Sequence, residues 1–109
     1  MAFDEVLADR VRPLFSRLRG STEKKMFGGV GFLLHGNMCV GVWKESLIVR
    51  VGPDAYDAAR ARPHVTEFDI TGRPMKGWVM LEPAGVRRES ELIEWVGSAI
   101  DFVGGLPRK

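Results

Sequence analysis

The stretch GVGFLLHGNMCVGVWKESLIVRV, residues 29–51, consists of three largely apolar runs separated by two short polar segments. Gly36-Asn37 suits a two-residue hairpin loop, because glycine adopts a positive φ without steric cost. Lys44-Glu45 is a weaker signal for a second turn. The two turns predict three consecutive antiparallel strands at the centre of the fold.

The same turns predict which residues share a face of the sheet, because side chains alternate along a strand. We expect one face to meet the helices; it comprises Gly29, Gly31, Leu33, Met38, Val40, Val42, Leu47, Val49 and Val51. We expect the opposite face to comprise Val30, Phe32, Leu34, Cys39, Gly41, Trp43, Ile48 and Arg50. This second face is also mostly apolar, so we expect further structure or an interface to cover it.

Helices and further strands are predicted on both sides of this stretch. Apolar residues recur at helical spacing over residues 3–18, with Pro13 expected to kink or split the helix. The later elements are a short helix over 54–62, a strand over 65–70, a turn at 71–74, a strand over 78–81 and a helix over 89–103. The order α-β-β-β-α-β-β-α predicts class α+β, a mainly antiparallel sheet of about five strands with helices packed on it.

Composition limits the functions to be considered. The 109 residues predict a single domain over 1–109, and a hydrophobic content of 45% is sufficient for a buried core. The net charge of +2 is too small to indicate nucleic-acid binding by itself. The single cysteine excludes a disulfide within the chain. No signal peptide and no apolar run near the roughly 20 residues of a membrane span are present, so we expect a cytoplasmic protein without membrane contact.

Glycines and lysines are concentrated in KKMFGGVGF, residues 24–32. A phosphate loop requires its glycines between a strand and a helix N-terminus, with the lysine after them. Here Lys24 and Lys25 precede the glycines, and a strand follows. We therefore interpret Gly29 and Gly31 as positions where a helix approaches the sheet closely, and Gly28 as a bulge site.

Residues with catalytic or metal-binding chemistry are few and scattered. His35 and His64 have no metal-ligand partners at suitable spacing, and Cys39 has no neighbouring histidine to activate it. The sequence contains no recognisable nucleophile motif or acid–base pair. We expect no enzymatic activity, no catalytic residues, no bound metal and no cofactor.

Two groups of basic and aromatic residues remain as candidate binding sites. Arg50 shares its predicted face with Phe32 and Trp43, where it would pair with an acid, stack on a ring or receive an anion. Arg73, Lys76 and Trp78 form a second group, of a kind found in nucleic-acid sites and in protein interfaces. Lys24 and Lys25 are two further basic residues that we consider for anion binding.

Three segments resemble one family of regulators. EKKMFGGVGFLLHGNMCVGV (residues 23–42), LIVRVGPDA (47–55) and TGRPMKGWVMLEP (71–83) are similar to the N-terminal domain of the TfoX/Sxy proteins. The resemblance implies a small α+β domain and a regulator of natural competence, which acts with the cyclic-AMP receptor protein through protein contacts. It implies no catalytic residues. The regulators carry a second, helical C-terminal domain, whereas this sequence ends at Lys109, so we expect a stand-alone domain.

Two hypotheses follow from these observations. The first is a non-enzymatic protein-interaction domain in transcription regulation, with Phe32, Trp43 and Arg50 as its contact surface or homodimer interface. The alternative is a module that binds an anionic ligand or nucleic acid through basic residues, namely Lys24, Lys25, Arg50, Arg73 and Lys76. The sequence leaves direct DNA binding open and does not name the protein partner.

Overall fold

The computed structural model describes residues 3–26, 28–68 and 75–108. Its elements are α1 (Glu5–Ser16), β1 (Ser21–Met26), β2 (Gly29–Leu34), β3 (Asn37–Trp43), β4 (Ser46–Arg50), α2 (Tyr56–Arg60), β5 (Val65–Glu67), β6 (Trp78–Leu81), a 3-10 turn (Pro83–Val86) and α3 (Glu89–Gly104). The strands form one antiparallel six-stranded sheet in the order β1-β2-β3-β4-β6-β5. The α+β class and the helices packed on the sheet are confirmed, and the prediction of about five strands is close.

The strand that sequence reasoning missed is β1, whose sequence is STEKKM. It lies at one edge of the sheet and pairs only with β2. Its side chains are exposed or half-buried. Charged residues are typical of edge strands, where they discourage pairing with another chain, but they remove the apolar alternation by which strands are recognised.

Helix α1 begins where Asp4 caps it: the carboxylate oxygen Oδ1 accepts hydrogen bonds from the amides of Val6 at 2.9 Å and Leu7 at 3.2 Å. This capping supplies partners for amides that the first turn leaves unpaired. The helix continues through Pro13 to Ser16, so the predicted split at Pro13 is wrong.

The first hairpin turns at His35-Gly36, not at Gly36-Asn37. Leu34 pairs with Asn37, and both turn residues have positive φ, 51° at His35 and 85° at Gly36. Such a pair of positive φ values is characteristic of the tight turns that match strand twist. Asn37 instead begins β3, where its buried side chain donates a hydrogen bond to the Pro107 carbonyl at 2.9 Å.

A bulge follows this turn. Leu33 pairs with Met38 and Phe32 with Val40, which leaves Cys39 as an additional residue in β3. The prediction that Leu33 and Val40 share a face is therefore wrong. A shift of one residue transfers every side chain of a strand to the other face, so the predicted faces of β2 are exchanged.

The second hairpin has the predicted register. Val42 pairs with Leu47 and Val40 with Val49 across the Lys44-Glu45 turn. The faces predicted for β4 and for residues 40–43 of β3 therefore remain correct, whereas β2 is reversed relative to them.

The core lies between the sheet and the helices. The side chains of Val30, Phe32 and Leu34 from β2 join those of β3, β4 and β6 against α1 and α3. Phe32 is only 2% exposed and stacks on Phe15 of α1, with ring centroids 5.4 Å apart. Burial of large apolar side chains in this layer is the main source of stability.

The remaining elements agree with the prediction in type and differ in length. Helix α2 is shorter than the predicted 54–62, and α3 closely matches the predicted 89–103. Strand β5 covers Val65–Glu67 of the predicted 65–70, whose last two residues lie outside the described residues, as does the turn predicted at 71–74. Within the described part of the chain, no helix is both long enough and apolar enough to cross a membrane.

Candidate interaction surface

The sheet has a second face, opposite α1 and α3, which we call the open face. The strand pairings place the following side chains on it: Thr22, Lys24, Met26, Gly29, Gly31, Leu33, Met38, Gly41, Trp43, Ser46, Ile48, Arg50, Thr66, Trp78 and Met80. None of them belongs to the core cluster that the helices form with the sheet. The predicted second apolar face therefore exists, but with a different contribution from β2.

Phe32 is a correction to the predicted contact surface. The prediction grouped it with Trp43 and Arg50, whereas it lies in the core and contacts α1. The cause is the turn at His35-Gly36, which reverses the faces of β2. Trp43 and Arg50 do lie on the open face, and both are half-buried.

Two paired glycines form a strip without side chains in the middle of the open face, which we call the glycine strip. Gly31 pairs with Gly41 across β2 and β3. A Cβ atom at Gly31 would lie 3.0 Å from the Met26 methyl carbon, and a Cβ atom at Gly41 would lie 2.7 Å from that of Met38. The methionine side chains therefore lie flat over the space that the two glycines leave.

Gly29 is required for a different contact. A Cβ atom there would lie 2.3 Å from the backbone oxygen of Val42, closer than van der Waals contact permits. Gly28, beside it, has a φ of 76°. The prediction that Gly29 and Gly31 allow a helix to approach is wrong, since both lie on the face away from the helices. They allow close contact of β2 with β3 and with methionine side chains.

Basic groups lie over both tryptophan rings of the open face. The Lys44 ammonium is 4.5 Å from the centre of the Trp43 ring. The Arg50 guanidinium is 5.2 Å from the ring of Trp78 and 5.8 Å from that of Phe102 in α3, so it extends from the open face to the end of the sheet that α3 also reaches. Such distances permit cation–π attraction. Of the roles considered for Arg50, stacking on aromatic rings is the one that the structure contains.

The predicted anion-binding residues are spread over different surfaces. Lys24 is exposed on the open face, whereas Lys25, the next residue of β1, is exposed on the helix side. Arg50 lies three strands from Lys24, a lateral distance of about 15 Å. Lys76 is exposed just before β6, and Arg73 lies outside the described residues. The described members of this set do not surround one common site.

The acid of β1 is already paired on the helix side. Arg12 of α1 donates two hydrogen bonds to the Glu23 carboxylate, at 2.8 and 2.9 Å. This contact with Arg12 holds the pKa of Glu23 below its usual value. Because the pair joins α1 to the edge strand, Glu23 contributes no charge to the open face.

Cys39 is fully buried, and burial raises the pKa of its thiol from 9.0 to about 11, against the opposing influence of Arg50. A neutral, buried thiol is a poor nucleophile. Among the described residues, no group of three His, Cys, Asp or Glu side chains is arranged to hold a metal ion. His35 and His64 lie in positive-φ turn positions.

The thiol gives the first testable prediction. We expect native Cys39 to titrate near pH 11 and the denatured chain to titrate near pH 9, as followed by ultraviolet thiolate absorbance, with Cys39→Ala as the background. Since the unfolded state loses its proton first, the thiol's contribution to stability is complete below pH 9 and declines as the pH rises toward 11. A native midpoint near pH 9 would contradict the buried, neutral state.

Sequence reasoning did not consider Met26 and Met80 for the open face, and it assigned Met38 to the opposite face. The sequence signal for these methionines was indirect. A glycine in a strand leaves room for the long, flexible side chain of a nearby methionine to lie across it.

Comparison with known proteins places the chain in one family. The model of the TfoX N-terminal domain matches residues 13–103, which covers most of the sequence and spans the chain from within α1 to the end of α3. No curated protein and no solved structure matches the chain. The family resemblance inferred from the glycine-rich and Gly-Arg-Pro-Met-Lys-Gly-Trp segments is thereby confirmed. The chain belongs to the TfoX N-terminal domain family.

Proposed function

We propose that this domain is a non-enzymatic regulator that acts through protein contacts made by the open face, in transcription regulation of the competence type. One observation carries the proposal. Large apolar side chains lie on the open face without joining the core that the helices form: Ile48 is buried there, and the half-buried ones are Met26, Leu33, Met38, Trp43, Trp78 and Met80.

This distribution is unusual for a sheet with one face in water. An antiparallel sheet of that kind alternates apolar residues toward the core with polar residues toward solvent. Here both sides of β2, β3 and β6 carry mainly apolar residues or glycine, and β4 contributes Ile48 to the open side between Ser46 and Arg50. Contiguous apolar surfaces on soluble domains commonly mark interaction sites. Tryptophan and arginine, both present on the open face, are enriched among residues that dominate binding energy.

Affinity capture from native cell extract, with and without nuclease, tests this function. We expect wild-type protein to retain a partner after nuclease treatment, and Trp43→Asp to reduce recovery at least about tenfold, because a tryptophan contact is lost. Ile93→Asp is the matched control, since Ile93 is an apolar residue on α3 that is 49% exposed. Circular dichroism checks folding, and Leu33→Asp replaces Trp43→Asp if the latter does not fold.

Multi-angle light scattering on the same variants separates a partner from self-association. A monomer whose partner recovery is unaffected by Trp43→Asp and by Leu33→Asp would contradict the role of the open face. A wild-type dimer that becomes monomeric only in these two variants would assign the face to a homodimer.

A nucleic-acid or anion-binding function is the second candidate, because Lys24, Lys44 and Arg50 add positive charge beside two tryptophans. Binding through phosphate contacts weakens steeply as salt increases. If the domain binds nucleic acid, we expect it to shift an oligonucleotide in a gel at low salt and not at high salt. Absence of a shift at low salt would exclude this candidate.

A further inference from the structure

The charge on the open face has one sign. Among the residues that the structure describes, the charged side chains that the six strands place there are Lys24 and Arg50, and Lys44 adds a third positive group over Trp43. Glu45, exposed in the turn, is the acid that directly follows Lys44. An apolar face with basic groups at three places favours a partner that carries acids.

The acids of the strands lie on the other side of the sheet. Glu23 is paired with Arg12 at 2.8 Å, and Glu67 is paired with Arg60 of α2 at 2.7 Å. The ion pairs among the described residues thus involve basic groups of the helix side. The two faces of the sheet therefore differ in charge, and only one of them is packed against α1 and α3.

The centre of the open face is adaptable. The Met26 and Met38 methyl groups are the atoms nearest to the Cβ positions of Gly31 and Gly41, although the Val30 carbonyl oxygen also lies 3.2 Å from that of Gly41. Methionine has three rotatable bonds and a polarizable sulfur, so it yields its place to an incoming apolar side chain at low cost. Rotation of these two side chains would expose the glycine strip.

Two other occupants fit the face less well. A second copy of the chain would bring Lys24 and Arg50 of both copies to one patch, without strand acids to pair with them, and buried unpaired charges are costly. Stacked nucleobases need uncovered aromatic rings, whereas basic groups lie over Trp43 and Trp78. A segment with apolar and acidic side chains meets neither obstacle.

We infer that the open face binds an amphipathic peptide segment, whose apolar side chains displace Met26 and Met38 from Gly31 and Gly41. Its Asp or Glu carboxylates pair with Lys24, Lys44 and Arg50. The inference rests on the proposed protein-contact function and adds the chemistry of the partner.

Selection from a random peptide library displayed on phage tests the partner chemistry. We expect the retained peptides to be enriched in Asp and Glu, and in apolar residues at a spacing that places them on one side. Enrichment in Lys and Arg, enrichment in uncharged sequences, or no enrichment would overturn the inference. Because the extract experiment identifies partners independently, a captured protein that Trp43→Asp loses would preserve the proposed function even if acidic enrichment fails.

Methionine methyl NMR locates the binding site of the most enriched peptide. The chain has five methionines, of which Met26, Met38 and Met80 lie on the open face. We expect the methyl signals of Met26 and Met38 to move on titration with the peptide, while that of Met75, exposed before β6, serves as an internal reference. Unchanged Met26 and Met38 signals would place the peptide elsewhere and overturn the inference.

Adjacent lysines of β1 provide a matched pair of charge reversals. Lys24→Glu and Lys25→Glu change the net charge equally at exposed positions on opposite faces. We expect Lys24→Glu to weaken binding of the peptide roughly tenfold and Lys25→Glu to change it less than about twofold. Equal effects would show attraction by net charge alone and overturn the contact. A single-stranded oligonucleotide that moves the same methyl signals in place of the peptide would assign the face to nucleic acid instead.

Discussion

Phe32→Ala is expected to lower the free energy of unfolding by about 3–5 kcal/mol, since it removes a large side chain from a packed core. Phe32 is 2% exposed and stacks on Phe15. For a domain of this length, that loss corresponds to a decrease in Tm of about 13–22 °C. Urea unfolding followed by circular dichroism measures it. The substitution tests the register of β2, because Phe32 would be a surface residue if the hairpin turned at Gly36-Asn37.

Leu34→Ala and Leu33→Ala form a control pair with the same chemical change on opposite faces. Leu34 is 6% exposed and belongs to the core, whereas Leu33 is half-buried on the open face. We expect Leu34→Ala to cost about 2–3 kcal/mol and Leu33→Ala about 1 kcal/mol. The reverse order, together with a mild effect of Phe32→Ala, would show that the turn lies one residue later.

The helices and the second hairpin were predictable because local signals determine them. The apolar spacing of α1 and α3 identifies both helices. The apolar runs that flank Lys44-Glu45 determine the second register. Each of these elements depends on residues that are close together in the sequence.

The first hairpin was not predictable in the same way. Its turn places His35, a residue with a Cβ, at positive φ, although the glycine at position 36 allowed either of two turns. Asn37 favours the observed choice, because its side chain reaches the Pro107 carbonyl at the far end of the chain. That contact is non-local, so no turn rule includes it.

The candidate site was predicted in part. The existence of a second apolar face follows from the composition of β3 and β4, and Trp43 and Arg50 were assigned to it correctly. Phe32 was assigned wrongly because its strand was displaced by one residue. The contributions of Lys24 and Met26 depend on β1, which lacks the alternating pattern of a strand. Edge strands and bulges are where alternation is a weak guide.

Gly29→Ala is expected to lower the free energy of unfolding by about 2–3 kcal/mol, although alanine adds only one methyl group. The new Cβ atom would lie 2.3 Å from the Val42 carbonyl oxygen, which is backbone of the neighbouring strand and has little freedom to move. Relief of the contact requires β2 and β3 to separate at the start of their pairing, which weakens the pairing of Val30 with Val42. Thermal unfolding by circular dichroism measures the loss.

Two further glycines calibrate this result. In Gly97→Ala the new Cβ atom meets nothing within 4 Å, and the position is inside α3, so we expect a gain of about 0.5–1 kcal/mol. In Gly31→Ala the nearest atoms are the flexible ends of Met26 and Met38, so we expect a cost below about 1 kcal/mol. A Gly29→Ala variant as stable as Gly31→Ala would contradict the close approach of the two strands. The expected order of stabilities, in which Gly29→Ala is less stable than Gly31→Ala, would assign the glycines of residues 28–31 to strand packing. These glycines would then not form an anion site with Lys24, which remains available for contacts on the open face.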